Sequence, residues 1–326
     1  MKEKKWLSAV LAVVMLLTML LPVTALAADP DREARQAEKE AELADLAPDA
    51  SPDPGNDLLT KDVYNILLMG IDARYDGYNT RNDATMIVSI NNTRKEVILT
   101  SLQRDAAIDV PGFGHDRLNV TNVYGGAELS EKTVELNYGV KADKYIMVNF
   151  VSFPNVVKAL GGVDIELTHE EVDNINGHVL TGHLNYTDDN VYHLDPDQAL
   201  WFVRIRDDST DLVRTERQRR FLTVVWEMAK AMSAEELFEL AKVVYKETNS
   251  DLDLGTLIAL ISRLPELLEY DLVLDRVPVD GTWEFGNVGG ASYILFDLDE
   301  NKKYLQELIY GEGQEAALAA LEKTVG

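Results

Sequence analysis

Apolar and polar positions divide the chain into stretches of different character. Trp6 to Leu21 is charge-free and mostly apolar, and it ends at Pro22. Residues 28–60 carry many charges, Pro30, Pro48, Pro52 and Pro54, and no aromatic residue. Such a stretch cannot bury a core of its own and reads as a spacer, with helical character between Arg32 and Leu46. From Val63 the pattern is that of a folded domain. Val63-Tyr64-Asn65-Ile66-Leu67-Leu68-Met69 is a near-continuous apolar run ending at Gly70, as expected of a strand buried on both faces. Thr85 to Ile90 and Val97 to Leu102 follow, and the turn-like Asn91-Asn92-Thr93 between them predicts a hairpin.

Tyr145 to Phe150 and Val163 to Leu167 predict two more strands, and Phe153 to Leu160 a short helix stopped by Gly161-Gly162. His178 to His193 is polar and reads as loop. Asp195-Pro196-Asp197-Gln198 then opens a helix, with Asp at the N-cap, Pro at the first helical position and Gln at the third. A long helix is expected from Asp211 to Met232, others near 234–246 and 253–264, and a last strand from Leu272 to Val277. Strands alternating with helices predict an α/β fold built on a largely buried sheet. No internal repeat is visible. The expected organisation is an N-terminal segment 1–27, an acidic Pro-containing linker 28–61, a single globular domain over 62–310 and a tail 311–326.

Charge changes the picture of what such a domain binds. The net charge is -25, which argues against nucleic acid as a partner and against broad adhesion to anionic lipid. Lys2, Lys4 and Lys5 precede the first apolar run, and Ala25-Leu26-Ala27 supplies small residues at the spacing of a signal-peptide cleavage site. The stretch from Trp6 to Ala28 is also 23 residues long, enough to span a bilayer as an uncleaved anchor. Both readings place the domain outside the cytoplasm, as an exported protein either secreted after cleavage or held at the membrane. With no cysteine in the chain, thiol chemistry and cysteine metal sites are excluded. The five histidines show no zinc-ligand spacing.

Against this acidic background, six arginines and no lysine lie between Trp201 and Arg220: Arg204, Arg206, Arg214, Arg217, Arg219 and Arg220. A guanidinium fork fits phosphate two bonds at a time, so the cluster points to a strongly anionic ligand. Asp207, Asp208, Asp211 and Glu216 share the window, and a salt-bridged helix is the ordinary alternative. Arg214, Arg217, Gln218, Phe221 and Val225 fall on one helical stripe that begins polar and turns apolar. Asp72 follows the first buried strand in Gly70-Ile71-Asp72-Ala73-Arg74, and Arg81-Asn82-Asp83 opens the next. Carboxylates at strand ends beside arginines suit a hard divalent cation such as Mg²⁺, although Asp in a Gly-containing turn is also ordinary turn chemistry. Ser101-Leu102-Gln103-Arg104-Asp105 leaves a strand with an Arg-Asp pair, either an anion clamp or a structural ion pair. Asn119 to Gly126 holds a Gly-Gly turn and no charge, and reads as architecture.

Taken in order, these segments resemble the LytR-CpsA-Psr family. The resemblance rests on Asn65 to Arg74, Arg81 to Asp83, Ser101 to Asp105, Ala159 to Asp164, Asp197 to Arg206 and Arg214 to Gln218, and it covers residues 62–310. It implies a central sheet flanked by helices, with an apolar channel for a polyprenyl chain. It also implies a phosphotransferase that moves a glycopolymer, of teichoic acid or capsular type, from polyprenyl pyrophosphate to peptidoglycan at the outer face of the cytoplasmic membrane. By the same resemblance Asp72 and Asp83 are the Mg²⁺ (or Mn²⁺) aspartates. Arg81, Arg104, Arg204, Arg206, Arg214 and Gln218 are the pyrophosphate set, and Asp105 completes the Arg-Asp pair. Arg217 ranks second, and Arg219 and Arg220 are expected to face solvent or local acids. The chain departs from the family at Asn82-Asp83-Ala84, where Ser-Asp-Thr is usual, and at Gln103, where Pro is usual. A pyrophosphatase, with water in place of the sugar hydroxyl, and a lipid-binding protein without turnover are the alternatives.

Overall fold

The computed structural model describes residues 30–44, 46, 50–73, 80–205, 211–288 and 290–311. The apolar run after Asp62 is strand β1 (Val63–Ile71), buried along nearly all of its length. Ile66 and Leu68 pack into one apolar layer, while Leu67, Met69 and Ile71 pack into the other. Both faces of the strand are covered, which is why its sequence shows no alternation. β2 (Asn82–Asn91) pairs antiparallel with β1, and β3 (Glu96–Leu102) pairs antiparallel with β2, forming the expected hairpin. With β6 (Lys144–Val148), β9 (Asn249–Ser250) and β10 (Asp271–Val277) they make a six-stranded sheet in the order β10-β3-β2-β1-β6-β9. The pairs β1–β6 and β3–β10 are parallel, so the sheet is mixed.

One layer over the sheet is built by α4 (Ser152–Leu160), α5 (His169–Asn176), α6 (Pro196–Phe202), α7 (Asp211–Ala231), α8 (Ala234–Glu247) and α9 (Leu254–Leu267). The other is built by α3 (Thr121–Tyr138) and α10 (Leu298–Tyr310), together with β4 (Ala107–Val110). Helix α6 starts where its sequence says it should. The Asp195 carboxylate accepts from the Asp197 and Gln198 backbone N–H groups, and the Gln198 side chain accepts from the Asp195 N–H.

Three expectations need correction. The strand read as Tyr145 to Phe150 stops at Val148, because the Asn149 side-chain oxygen accepts from the Val151 and Ser152 N–H groups and turns the chain into α4. Val163 to Leu167 becomes β7 (Val163–Glu166) but does not enter the central sheet. It pairs with β8 (Val191–Leu194), so the presumed loop 178–193 ends in a strand. The alternating burial of Val191-Tyr192-His193-Leu194 is the period-two signal that the surrounding polarity hid. Finally, the described part of the stretch read as a spacer is held to the body. Helix α1 (Pro30–Leu43) buries Leu43, and Lys39 Nζ donates to the Tyr245 and Thr248 carbonyls at 2.7 and 2.8 Å. A four-residue helix α2 (Asp57–Thr60) then leads into β1.

Hydropathy periodicity missed helices α3, α5 and α10 and also two hairpins. Between β3 and α3 the chain forms the β4–β5 hairpin, with β5 at Gly114–Arg117. Beyond β10, the strands β11 (Trp283–Val288) and β12 (Ala291–Phe296) form a second hairpin before α10. Among the described residues no helix is long and apolar enough to cross a membrane. Residues 1–27, read as a signal or anchor, lie outside the described residues.

Candidate functional site

The candidate residues collect where β1, β2 and β3 meet at one end of the sheet. The β1–β2 register slips between Gly70 and Ile71, setting Ile71 opposite Asn82. Just beyond, the Asp72 N–H donates to the Arg81 carbonyl at 2.9 Å. Asp72 and Asp83 therefore lie at the same end of neighbouring strands. The Asp83 side chain is only 5% exposed, and its Oδ1 is 3.0 Å from Arg104 Nη1. Arg104 leaves β3, which is paired with β2 through Thr85 and Leu102. Its Nε is 3.3 Å from Asp105 Oδ2. Asp105 is held further by Arg117 Nη1 at 3.8 Å and by the Asn119 amide at 3.4 Å.

Helix α7 closes the cluster. Arg214, 2% exposed, donates through Nη2 to the Asp83 carbonyl at 3.3 Å. A guanidinium so deeply buried costs several kcal/mol of lost hydration, on the order of the penalty for any buried ion, and needs a dense set of partners. One turn on, Gln218 is also 2% exposed, and its amide nitrogen finds no hydrogen-bond partner among the described residues. The stripe Arg214, Arg217, Gln218, Phe221 and Val225 is buried throughout, as its spacing predicts.

The arginines of the cluster separate by partner. Arg204, just past α6, is buried with its guanidinium 4.2 Å from the Trp201 ring centroid and 5.2 Å from that of Phe150. Both rings lie within cation–π range of the guanidinium and favour its charge. Arg217 turns instead to Glu171, with Nε 2.8 Å from Oε1. Arg220 meets the same carboxylate oxygen at 2.8 Å, and Arg219 pairs with Glu216. Burial alone would raise the Glu171 pKa, but the Arg220, Arg217 and Thr168 hydrogen bonds outweigh it and hold the carboxyl below its usual range. Arg219 is thus paired with an acid of its own window, as the salt-bridged alternative has it, whereas Arg217 and Arg220 pair with Glu171 outside that window. Arg214 reaches Asp83, and Arg204 lies against Phe150, just past β6, the parallel neighbour of β1. Arg81 is exposed on the rim, beside Asp72. Arg206 lies outside the described residues.

The departures at Asn82 and Gln103 lie inside the protein. Asn82 is fully buried, and its amide donates to Thr85 Oγ1 at 3.0 Å. Gln103 uses its backbone N–H, which a proline lacks, to donate to the Val277 carbonyl at 3.0 Å. Neither substitutes for a charged group.

Arg117, Asn119 and the aromatic pair Trp201 and Phe150 were not legible as site residues. Their contacts with Asp105 and Arg204 join segments that are distant in the sequence. Among the described residues no three acidic or imidazole groups converge; Asp72 and Asp83, carboxylates at the same end of neighbouring strands, are the oxygen donors present there. That donor set fits Mg²⁺, which takes few carboxylates and completes its shell with water and phosphate oxygens.

Comparison with known proteins finds relatives of the whole domain. The LytR_cpsA_psr family profile matches residues 22–309. The polyisoprenyl-teichoic acid–peptidoglycan teichoic acid transferase TagT of Bacillus subtilis (strain 168) is 33% identical over 191 residues, which is 56% of each chain. The transferase TagU of Oceanobacillus iheyensis is 32% identical over 231 residues, 67% of this chain and 69% of that one. The match thus spans little more than half of the first relative's length. A solved structure of the LytR-CPS2A-psr family protein YwtF (TagT) with bound octaprenyl pyrophosphate lipid superposes with a TM-score of 0.60 at 27% identity, covering 80% of this chain and 94% of that one.

Proposed function

The chain belongs to the LytR-CpsA-Psr family, and on that premise we propose that it is an extracytoplasmic phosphotransferase, moving a teichoic-acid-type glycopolymer from a polyprenyl pyrophosphate carrier to peptidoglycan. The names of its relatives supply the substrate class. What brings that reading to this chain is one observation: buried Asp83 and Arg214 and the partly buried Arg104 form a contact cluster at the end of β1–β3, beside Asp72.

Pyrophosphate carries dense negative charge, and more gathers on the leaving phosphate as its bond breaks. Guanidinium groups already fixed in a poorly hydrated site stabilise that charge without reorganising during the reaction. Arg104, Arg204 and Arg214 bind the phosphates, Gln218 adds an amide donor, and Arg81 closes from the rim. Arg206 joins this set by family resemblance. A peptidoglycan sugar hydroxyl attacks the phosphorus that bears the glycopolymer. A new P–O bond forms, the bridging P–O bond breaks, and its electron pair leaves with polyprenyl phosphate. The hydroxyl proton passes to a carboxylate of the cluster, among which Asp105, 24% exposed, is more open than Asp83. Asp72 and Asp83 would hold Mg²⁺ (or Mn²⁺), which when bound neutralises charge on the pyrophosphate oxygens.

Replacing Arg104 or Asp83 by Ala should lower transfer at least about a hundredfold while the circular dichroism spectrum stays that of the wild type. Full activity in either folded variant contradicts the assignment.

A further inference from the structure

The reacting cluster is bordered by an aromatic surface that the chemistry above does not use. Phe113, in the turn between β4 and β5, is 55% exposed, and Tyr124, just before a break in α3, is 40% exposed. Their rings stack with centroids 4.6 Å apart and planes 14° from parallel. Two large rings fixed face to face at the surface present an organised apolar area, the kind that marks a binding site rather than scattered exposure.

Polar contacts tie this pair to the site. The Tyr124 hydroxyl donates to Asp116 at 2.8 Å, and the Tyr293 hydroxyl reaches the same carboxylate at 3.3 Å. Arg117 lies 5.7 Å from the Tyr293 ring centroid, and its Nη1 is 3.8 Å from Asp105. A continuous run of contacts therefore leads from the stacked rings to the Arg104–Asp105 pair.

We propose that Phe113 and Tyr124 form a platform for a saccharide ring of the acceptor glycan. This rests on the transferase reading and adds to it the place where the acceptor is held. A pyranose has an apolar C–H face and a rim of hydroxyls. The face covers the aromatic rings, and the rim meets the carboxylate and guanidinium groups at their edge. A hydrocarbon chain or apolar helix laid on the same surface would strip water from Asp116 and Arg117 without returning hydrogen bonds. The net charge of -25 also disfavours an anionic lipid surface there. The contacts through Asp116, Tyr293 and Arg117 join this surface to Asp105, the more open carboxylate of the cluster.

The test is titration of the full chain with soluble, uncrosslinked peptidoglycan glycan strands, followed by calorimetry. Phe113→Ala should weaken binding about tenfold, the scale of one lost aromatic contact, and Phe113→Trp should restore it. Thermal melts of both variants distinguish loss of the ring from loss of the fold. Octaprenyl pyrophosphate is titrated into the same wild-type sample, so failure of the donor reading is seen separately. The platform is overturned if wild-type protein binds octaprenyl pyrophosphate but not glycan strands, or if folded Phe113→Ala binds glycan as tightly as the wild type. Binding to phosphatidylglycerol vesicles that depends on Phe113, with glycan binding unchanged, also overturns it.

Discussion

At the scale of single residues, the same side-chain type serves two purposes on one helix. Arg214 faces the strand ends and touches Asp83, while Arg217 and Arg220 converge on the Glu171 carboxylate. Sequence spacing placed Arg214, Arg217 and Gln218 on one buried stripe and could go no further. Glu171 lies over forty residues earlier, and its own local signal was the capping box with Thr168. Removing one member of a buried ion pair leaves the other uncompensated, so Glu171→Ala should destabilise the fold by about 3 kcal/mol in urea unfolding. The sign of the pH dependence follows from the depressed carboxyl pKa. The contribution is fully present above about pH 4.3, the value for an unfolded glutamate, and is lost as pH falls through the lower folded value. The Glu171→Ala penalty should therefore shrink in strong acid; a penalty independent of pH would contradict the pairing.

At the scale of elements, the long strands of the central sheet and helices α4, α6, α7, α8 and α9 were legible because burial on both faces leaves long apolar runs and helix starts leave capping residues. Helices α3, α5 and α10 are largely polar in sequence and were not. Asp195-Pro196-Asp197-Gln198 produced the expected start of α6. Short ribbons were not legible. β7 and β8 have four residues each and pair with each other, leaving too little pattern to say which sheet they join. The Gly125-Gly126 pair was read as a turn, and it breaks α3 rather than ending it. Gly126 has φ 67° and ψ -159°, a region that essentially only glycine occupies. The break sets apart the first turn of α3, where the Asn122 amide holds the Thr80 carbonyl at 2.7 Å, next to Arg81. A Cβ at position 126 would meet nothing within 4 Å, so the cost of Gly126→Ala is backbone strain alone, about 1–3 kcal/mol. Chemical denaturation measures it directly, and an unchanged midpoint would show that α3 runs through the glycines.

At the scale of the whole molecule, a strongly acidic body carries a small basic site, and the excess charge has consequences of its own. Glu131 on α3 has its pKa raised to about 7 by burial, with Asp251 and Glu128 adding repulsion. Below about pH 4.3 the group is protonated whether folded or not and costs nothing. As pH rises toward 7 the unfolded chain ionises first, so folding loses stability, and above that the loss levels off. Glu131→Gln should match the wild type near pH 4 and exceed it at pH 8 by about 1 kcal/mol, after discounting for partial exposure. Equal melting temperatures at pH 8 would contradict this.

The central claim concerns the same acidic body acting on an anionic lipid through Asp72, Asp83, Arg104, Arg204, Arg214 and Gln218. It is tested most directly by incubating the protein with a polyprenyl-pyrophosphate-linked oligosaccharide and peptidoglycan, with and without Mg²⁺, and analysing muramidase-released fragments by mass spectrometry. A phosphodiester-linked saccharide–peptidoglycan product that forms with Mg²⁺ and disappears on chelation is the predicted result. Release of free saccharide phosphate without any linked product, or retention of intact lipid with no turnover, would contradict it.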